Sequence, residues 1–242
     1  MSSNGGGLLP FSQKVDPSQT ALLVIDVQND FCAPGGYMDR EGHPLETVEA
    51  MMPRLDALIE GARAAAVMTI YIRASYSSVN NWFLSDVAVD RARRVNVKAG
   101  GHIKYPVCME GEWGFEFYKD VGRDLRPNEI TLRKHRYNAF HGTELDLILR
   151  SNAIKTVVTT GVSTNVCVES TARDAYFRDF YVVMPADCCA SYSEVEQEGT
   201  LLNIRRYFGE VVSSEDVLTE WRQGVRNQRF DAGSRAKEVS KT

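Results

Sequence analysis

Apolar and polar positions along this chain fall into blocks of two lengths. Six short blocks are largely apolar and rich in β-branched residues: TALLVID (20–26), VMTIYIR (67–73), EITLRK (129–134), IKTVVTT (154–160), FYVVM (180–184) and EVVS (210–213). Runs of this length, closed at both ends by polar or turn-forming residues, predict β-strands. The longer stretches between them repeat apolar residues at helical spacing. They predict helices over 46–66, with Pro53 suited to a first helical position, and over 143–152, 165–179, 193–208 and 214–222. The fourth of these opens on Ser193-x-x-Glu196, the pattern of a capping box.

Near-continuous apolar strands that alternate with helices cannot leave a sheet face in water. The pattern therefore predicts an α/β fold, a doubly wound, mostly parallel six-stranded sheet with helices on both faces. The expected organisation is a flexible leader over residues 1–14, one domain over 15–222 and a tail over 223–242. Segment 74–128 breaks the alternation. It holds Gly100–Gly101 and three aromatics between Trp113 and Phe117, and an insertion of that length is expected to cover a site or make a subunit contact.

Composition narrows the function classes. The 242 residues carry 43% apolar and 25% charged side chains, as an ordinary soluble globular protein does. A net charge of −4 gives no electrostatic reason to bind nucleic acid or anionic membranes. No apolar run reaches the roughly 18 residues that a membrane span requires. The stretch MSSNGGGLLPF has no basic region followed by an apolar one, so no secretory signal is expected. The basic C-terminal tail is expected to be solvated rather than to form a nucleic-acid arm. Cys32, Cys108, Cys167, Cys188 and Cys189 are odd in number and scattered, with neither a disulfide framework nor paired CxxC spacing. A reduced, cytoplasmic protein is the expectation.

Candidate chemistry comes from what lies at the strand ends, because open α/β sheets bind ligands outside the carboxyl ends of their strands. The first strand ends at Asp26 and the third at Lys134. The fourth runs into Gly161-Val162-Ser163-Thr164, after which Cys167 is expected in the first turn of a helix. A thiol becomes a strong nucleophile only as thiolate, which a helix N-terminus and a nearby cation favour. Asp26 could take the thiol proton and return it to a departing amine. Lys134 could hold the charges in place, and amides around Ser163 and Cys167 could bind a developing oxyanion. Each residue alone also has a structural explanation: Asp26 as a turn cap, Lys134 as a solvated base, Cys167 as packing.

These residues resemble a known family. ALLVIDVQNDFC is similar to the opening of isochorismatase-like hydrolases, with Asp26, Gln28, Asp30 and Phe31 in an Asp-x-Gln-x-Asp-Phe pattern. LRKHRYNAFHGTELD resembles the family's lysine segment, and TTGVSTNVCVESTARDAYFRDFYVVMPADCCAS its nucleophile segment. The resemblance covers roughly residues 18–215. It implies a Rossmann-like sheet, an Asp26–Lys134–Cys167 triad, and a cis peptide between Val162 and Ser163 that orients oxyanion-binding amides. It also implies no cofactor, a homo-oligomer and a small-molecule amide or ureide substrate.

Two departures select among family members. Isochorismatases proper cleave a vinyl ether and lack the cysteine, so Cys167 favours amide or ureide hydrolysis through a thioester-type intermediate. Nicotinamidases of the superfamily bind a metal through an Asp-x-His pair and a further histidine. The corresponding stretch here is RASYSSVNNWF, and His43, His102, His135 and His141 show no ligand spacing, so no metal is expected. GVSTNVCVESTARDA, GGYMD and KHRYNAFHGTELD look most like ureidoacrylate amidohydrolases, with biuret hydrolase and N-carbamoylsarcosine amidase also similar. Asn29, Phe31, Trp113, Tyr137 and Phe140 are the candidate pocket residues. An amidase of an aromatic or other simple amide, as in nicotinamidases, and a non-catalytic scaffold keeping the fold are the competing readings.

Overall fold

The molecule was analysed as a computed structural model that describes residues 9–75 and 107–225, with Ser85 and Val87. Gly100–Gly101, His102, the first eight residues and the chain beyond residue 225 lie outside the described residues. The strands are β1 (Thr20–Ile25), β2 (Met68–Ala74), β3 (Glu129–Lys134), β4 (Thr156–Val162), β5 (Tyr181–Pro185), β6 (Cys189–Ala190) and β7 (Glu210–Val212). They form one seven-stranded sheet in the order β3-β2-β1-β4-β5-β7, with β6 also on β4, and every pairing is parallel.

All six expected strands are present, and a seventh, β6, joins them. β5 pairs with β4 only along Thr156–Val158, then breaks at Pro185 into a short turn over Ala186–Cys188. The chain returns as β6 beside Gly161 and Val162. Two residues carry no period, so no hydrophobic pattern could announce it.

Both sheet faces are buried, and β1 shows how. Leu22 and Val24 enter one core; Ala21, Leu23 and Ile25 enter the other. The first core is closed by α1 (Glu46–Ala64), which buries Val48, Met51, Met52, Leu55, Leu58, Ile59 and Ala62 on one face, and by a C-terminal helix, α5 (214–225), through Val217, Leu218 and Trp221. The second core is closed by α2 (Leu145–Ser151) and α3 (Glu169–Phe177). A further helix, α4 (Glu194–Asn203), is capped by Ser193, whose side chain accepts the Glu196 N–H.

α1 begins at Glu46, where the spacing predicts it, and Pro53 sits inside it rather than at a first helical position. The buried stripe from Val48 through Leu55 spans the proline, and packing outweighs the lost hydrogen bond. At the N-terminus, Phe11–Lys14 form one helical turn. Phe11 packs on the first core and Lys14 pairs with Glu210.

Candidate active site

The sheet order turns outward on either side of β1, and the predicted residues gather at that switch point. Asp26 follows β1 directly and is fully buried, with a left-handed φ of 55°. Its N–H still bonds the Ile72 carbonyl at 2.9 Å, so β2 holds it in register. Lys134 ends β3, two strands away. The strand between ends opposite Lys134 in Ala74, whose short side chain leaves the lysine a path across the sheet edge. Lys134 Nζ lies 2.6 Å from Asp26 Oδ2, with both side chains out of solvent. The ammonium also donates to the Arg136 carbonyl at 3.2 Å.

β4 reaches the same edge under tight constraint. Gly161 has φ +106°, and a Cβ there would lie 2.1 Å from the Ile25 carbonyl oxygen, so only glycine lets β4 pass β1 at this point. The Val162–Ser163 peptide is cis. The chain then forms a wide π-helical turn over Thr164–Val168 before α3 begins. Cys167 lies in this turn rather than in the first turn of a regular helix. The Ser163 carbonyl accepts the Val166 and Val168 N–H groups at 3.1 and 3.2 Å, and Thr171 Oγ1 donates to the Cys167 carbonyl at 2.8 Å. Cys167 is 5% exposed, and its thiol is one of the groups that act on the Asp26 carboxyl. Asp26, Lys134 and Cys167 thus form one contiguous cluster.

Burial is the largest influence on Asp26 and pushes its carboxyl above the usual range; the Lys134 charge, the Cys167 thiol and the Ala74 N–H oppose it. Burial alone would pull the Lys134 ammonium down. The Asp26 carboxylate and Cys167 outweigh it and hold the ammonium above its ordinary value. The group is built to store one positive charge beside a carboxylate able to take a proton. Among the described residues, no set of three or more His, Cys, Asp or Glu is arranged to hold a metal ion.

Two further residues secure this geometry. Gln28 is buried, and its side chain accepts the Ala74 N–H at 2.7 Å and donates to the Ala74 and Phe115 carbonyls at 3.1 and 2.8 Å. It ties the loop after Asp26 to the end of β2 and to segment 107–117. Asp30, also buried, accepts the Cys108 N–H at 2.7 Å and the Tyr37 N–H at 3.2 Å. A Cβ on Gly114 would lie 2.4 Å from that carboxylate, so the segment packs directly on it. Both residues stand in the Asp-x-Gln-x-Asp-Phe pattern, but sequence reasoning assigned neither a task. Tyr192, which donates to the Phe31 carbonyl at 2.6 Å, was missed entirely.

The candidate pocket residues divide. Asn29 donates from Nδ2 to the Trp113 carbonyl at 2.8 Å, fixing the turn Trp113–Phe115, while the Trp113 side chain is 54% exposed. Phe31 packs between that segment and the first core. Tyr137, beyond the lysine, is half exposed. Phe140, expected in the pocket, lies away from the Asp26–Lys134 pair. It is buried in the second core and stacks at 6.1 Å on Phe180, which precedes β5 at the amino ends of the strands. The loop after Lys134 turns down the sheet face, a direction that residue order does not encode.

The other four thiols are placed differently. Burial pushes Cys32, Cys108, Cys188 and Cys189 all upward. Iodoacetamide near pH 7.5 is therefore expected to label Cys167 at least about tenfold faster than any of them, read by peptide mapping. Equal labelling would remove the special reactivity assigned to this thiol.

Sequence comparison decides the ancestry of this geometry. The isochorismatase domain profile matches residues 20–216. The chain belongs to the isochorismatase family. It is 31% identical over 212 residues to the ureidoacrylate amidohydrolase RutB of Caulobacter segnis, covering 84% of this chain and 85% of that one. A cysteine hydrolase from Pseudomonas syringae superposes with a TM-score of 0.70 at 26% identity, covering 86% of this chain and 94% of the other. N-carbamoylsarcosine amidase from Thermoplasma acidophilum superposes at 0.61 with 26% identity, covering 81% and 96%. Membership of the isochorismatase family makes this protein a hydrolase with the α/β fold of that family. Among the described residues, no helix is long and apolar enough to cross a membrane.

Proposed function

We propose that this hydrolase is a cysteine-dependent amidohydrolase that cleaves the C–N bond of a small linear ureide or amide of the ureidoacrylate, biuret or carbamoyl type. The observation that carries the reading is the buried Asp26–Lys134 pair at the sheet's switch point, with the Cys167 thiol close enough to influence both charges. Asp26 accepts the thiol proton, and the thiolate adds to the substrate carbonyl. Backbone amides of the Ser163–Cys167 turn, beside the Val162–Ser163 peptide, receive the oxyanion. The protonated Asp26 gives its proton to the departing nitrogen, the C–N bond breaks, and an acyl or carbamoyl thioester remains on Cys167. Asp26 then takes a proton from water, which attacks the thioester and regenerates the thiol. Lys134 holds the carboxylate and offsets the charge that moves through the cycle.

Asn29, Phe31, Trp113 and Tyr137 are the proposed substrate neighbours, a partly aromatic wall with one amide suited to a flat polar molecule. No cofactor enters any step. The five cysteines are unpaired, which suits the cytoplasmic location proposed for the protein. The test is a panel of ureides, carbamoyl amino acids and simple amides, with ammonia measured beside a Cys167→Ser control. Turnover of a small ureide that disappears in the control is expected. Release undiminished in the control, or no turnover across the panel, overturns the reading.

A further inference from the structure

The loop that follows Asp26 and the turn that carries Cys167 leave neighbouring strands, and different parts of the chain hold them. In the loop, Gln28 bonds the Ala74 and Phe115 backbone, Asn29 the Trp113 carbonyl, and Asp30 the Cys108 and Tyr37 N–H groups. These ties run to β2, to segment 107–117 or to the loop's own continuation. None of them reaches the Cys167 turn. One further bond crosses to that side. Tyr192 Oη donates to the Phe31 carbonyl at 2.6 Å, in the single helical turn Asn29–Cys32, whose last carbonyls have no partner within the turn itself.

Tyr192 is anchored at its base. Ser191 comes directly after β6, and β6 pairs Ala190 with Val162, so Ser191 stands level with Ser163 at the start of the Cys167 turn. Ser191 is buried. Its Oγ donates to Asn165 Oδ1 at 2.9 Å, and its carbonyl accepts Thr47 Oγ1 of α1 at 2.7 Å. Two consecutive residues thus join the nucleophile's turn, α1 and the loop after Asp26. Burial holds the Tyr192 hydroxyl well above its ordinary value, and Cys32, Cys167, Asp26 and Cys108 push it the same way. The hydroxyl therefore stays protonated through the neutral range and remains a donor. A hydroxyl that only satisfied a stray carbonyl would need no such anchoring.

We propose that Ser191 and Tyr192 form a positioning strap that sets the separation between Asp26 and Cys167. The inference rests on the proposed cysteine mechanism, in which a proton passes between those two groups. Ser191 fixes the strap to the thiol's turn, and the Tyr192 hydroxyl pulls the loop after Asp26 toward it. Both residues are positioning residues: their hydroxyls are committed to Asn165 and Phe31, and neither takes or gives the reacting proton. Proton transfer requires hydrogen-bond reach, and a misplacement of about 1 Å can cost on the order of 10²-fold. Cutting one end of a strap whose ring stays packed costs less, about tenfold by the same scale.

Tyr192→Phe and Ser191→Ala each remove one hydroxyl and keep the side-chain packing. Each is expected to slow iodoacetamide labelling of Cys167 near pH 7.5 by about tenfold, because the thiol then sits further from the groups that ionise it. For the ureide of the panel that the wild type turns over fastest, kcat should fall about tenfold with KM within about twofold. The pH–rate profile should keep its shape. The double variant should lose little more than either single one, since a strap cut at one end transmits nothing from the other. Ser214→Ala removes a buried hydroxyl that donates to Asp187 at 2.7 Å, and as the matched control it should leave labelling and kcat unchanged. The labelling arm needs no substrate, so absence of turnover across the panel overturns the functional reading while labelling still decides the strap. Cys167 labelling that is unchanged or faster in both variants reduces these residues to packing and overturns the proposal. So do losses that multiply to roughly 100-fold in the double variant, which mark two independent sites. An alkaline limb altered by Tyr192→Phe overturns it too, by making Tyr192 a proton-transfer group.

Discussion

Cys167→Ala is expected to abolish ammonia release while leaving the fold in place. The thiol is the only atom in the cluster able to form the covalent intermediate, and loss of a nucleophile costs on the order of 10⁴-fold or more in turnover. The structural cost is small by comparison. The groups that hold the Cys167 turn are backbone atoms: the Ser163 carbonyl binds Val166 and Val168, and the Cys167 carbonyl binds Thr171, so alanine keeps them all. Deleting one buried sulfur costs about 1 kcal/mol of stability. Cys188→Ala supplies the matched control. That side chain is equally buried but belongs to the first core, away from Asp26 and Lys134, so it should lose similar stability and keep full turnover. Measuring ammonia release beside thermal unfolding of both variants separates chemistry from packing. Turnover retained in Cys167→Ala, or lost equally in Cys188→Ala, would remove Cys167 from the mechanism.

The three residues of the cluster were legible in the sequence because each ends or follows a strand whose apolar run is unmistakable. All six residues of β1 are buried, and β3 has the ends that its pattern predicts. Knowing the carboxyl end of a parallel strand is enough to place a residue on the functional edge. Legibility fell where local pattern and tertiary packing part company. The pattern stops β4 before Gly161, yet the strand continues through Val162, because that glycine is a close-approach residue against Ile25 and not a turn. The wide turn under Cys167 has no sequence period, since Thr164 to Val168 would suit a strand as well as a helix. Phe140 looks like a pocket wall from its distance to Lys134 along the chain, but chain distance says nothing about which way a loop folds. Gln28 and Asp30 are the reverse case. With Asn29 they make three polar residues in a row that read as surface loop, while the hydrogen bonds of Gln28 and Asp30 to Ala74, Phe115 and Cys108 make them buried struts.

Lys134→Met is expected to lose activity and, above all, to make stability depend on pH in a new way. Methionine fills most of the lysine's volume, so the change removes a charge from a fully buried site without opening a large cavity. What remains is Asp26 with no counter-ion 2.6 Å away, its burial opposed only by the Cys167 thiol and the Ala74 N–H. Breaking a buried ion pair in this way costs roughly 3–5 kcal/mol. The sign of the pH dependence follows from the directions of the two shifts. Lys134 is held above its ordinary value, so its contribution is complete at neutral pH and is lost only as pH rises through that raised value. The Asp26 carboxyl is also raised, so the folded state favours its protonated form. Its contribution is full below the ordinary carboxyl range and is lost as pH rises through the folded value. Without Lys134 that folded value climbs further. The variant's deficit should therefore be largest at neutral and alkaline pH and shrink toward acid, where Asp26 is neutral and no charge is left unpaired. Urea unfolding of both proteins at pH 5 and pH 8 measures it directly. Turnover should fall by roughly 10²–10⁴-fold, the usual worth of a positioned base, with the acid limb of the pH–rate profile displaced to higher pH. A deficit that stays constant across this pH range would mean that Lys134 acts by packing, and a base that works unaided by its neighbour would mean that Asp26 does not depend on it for its charge.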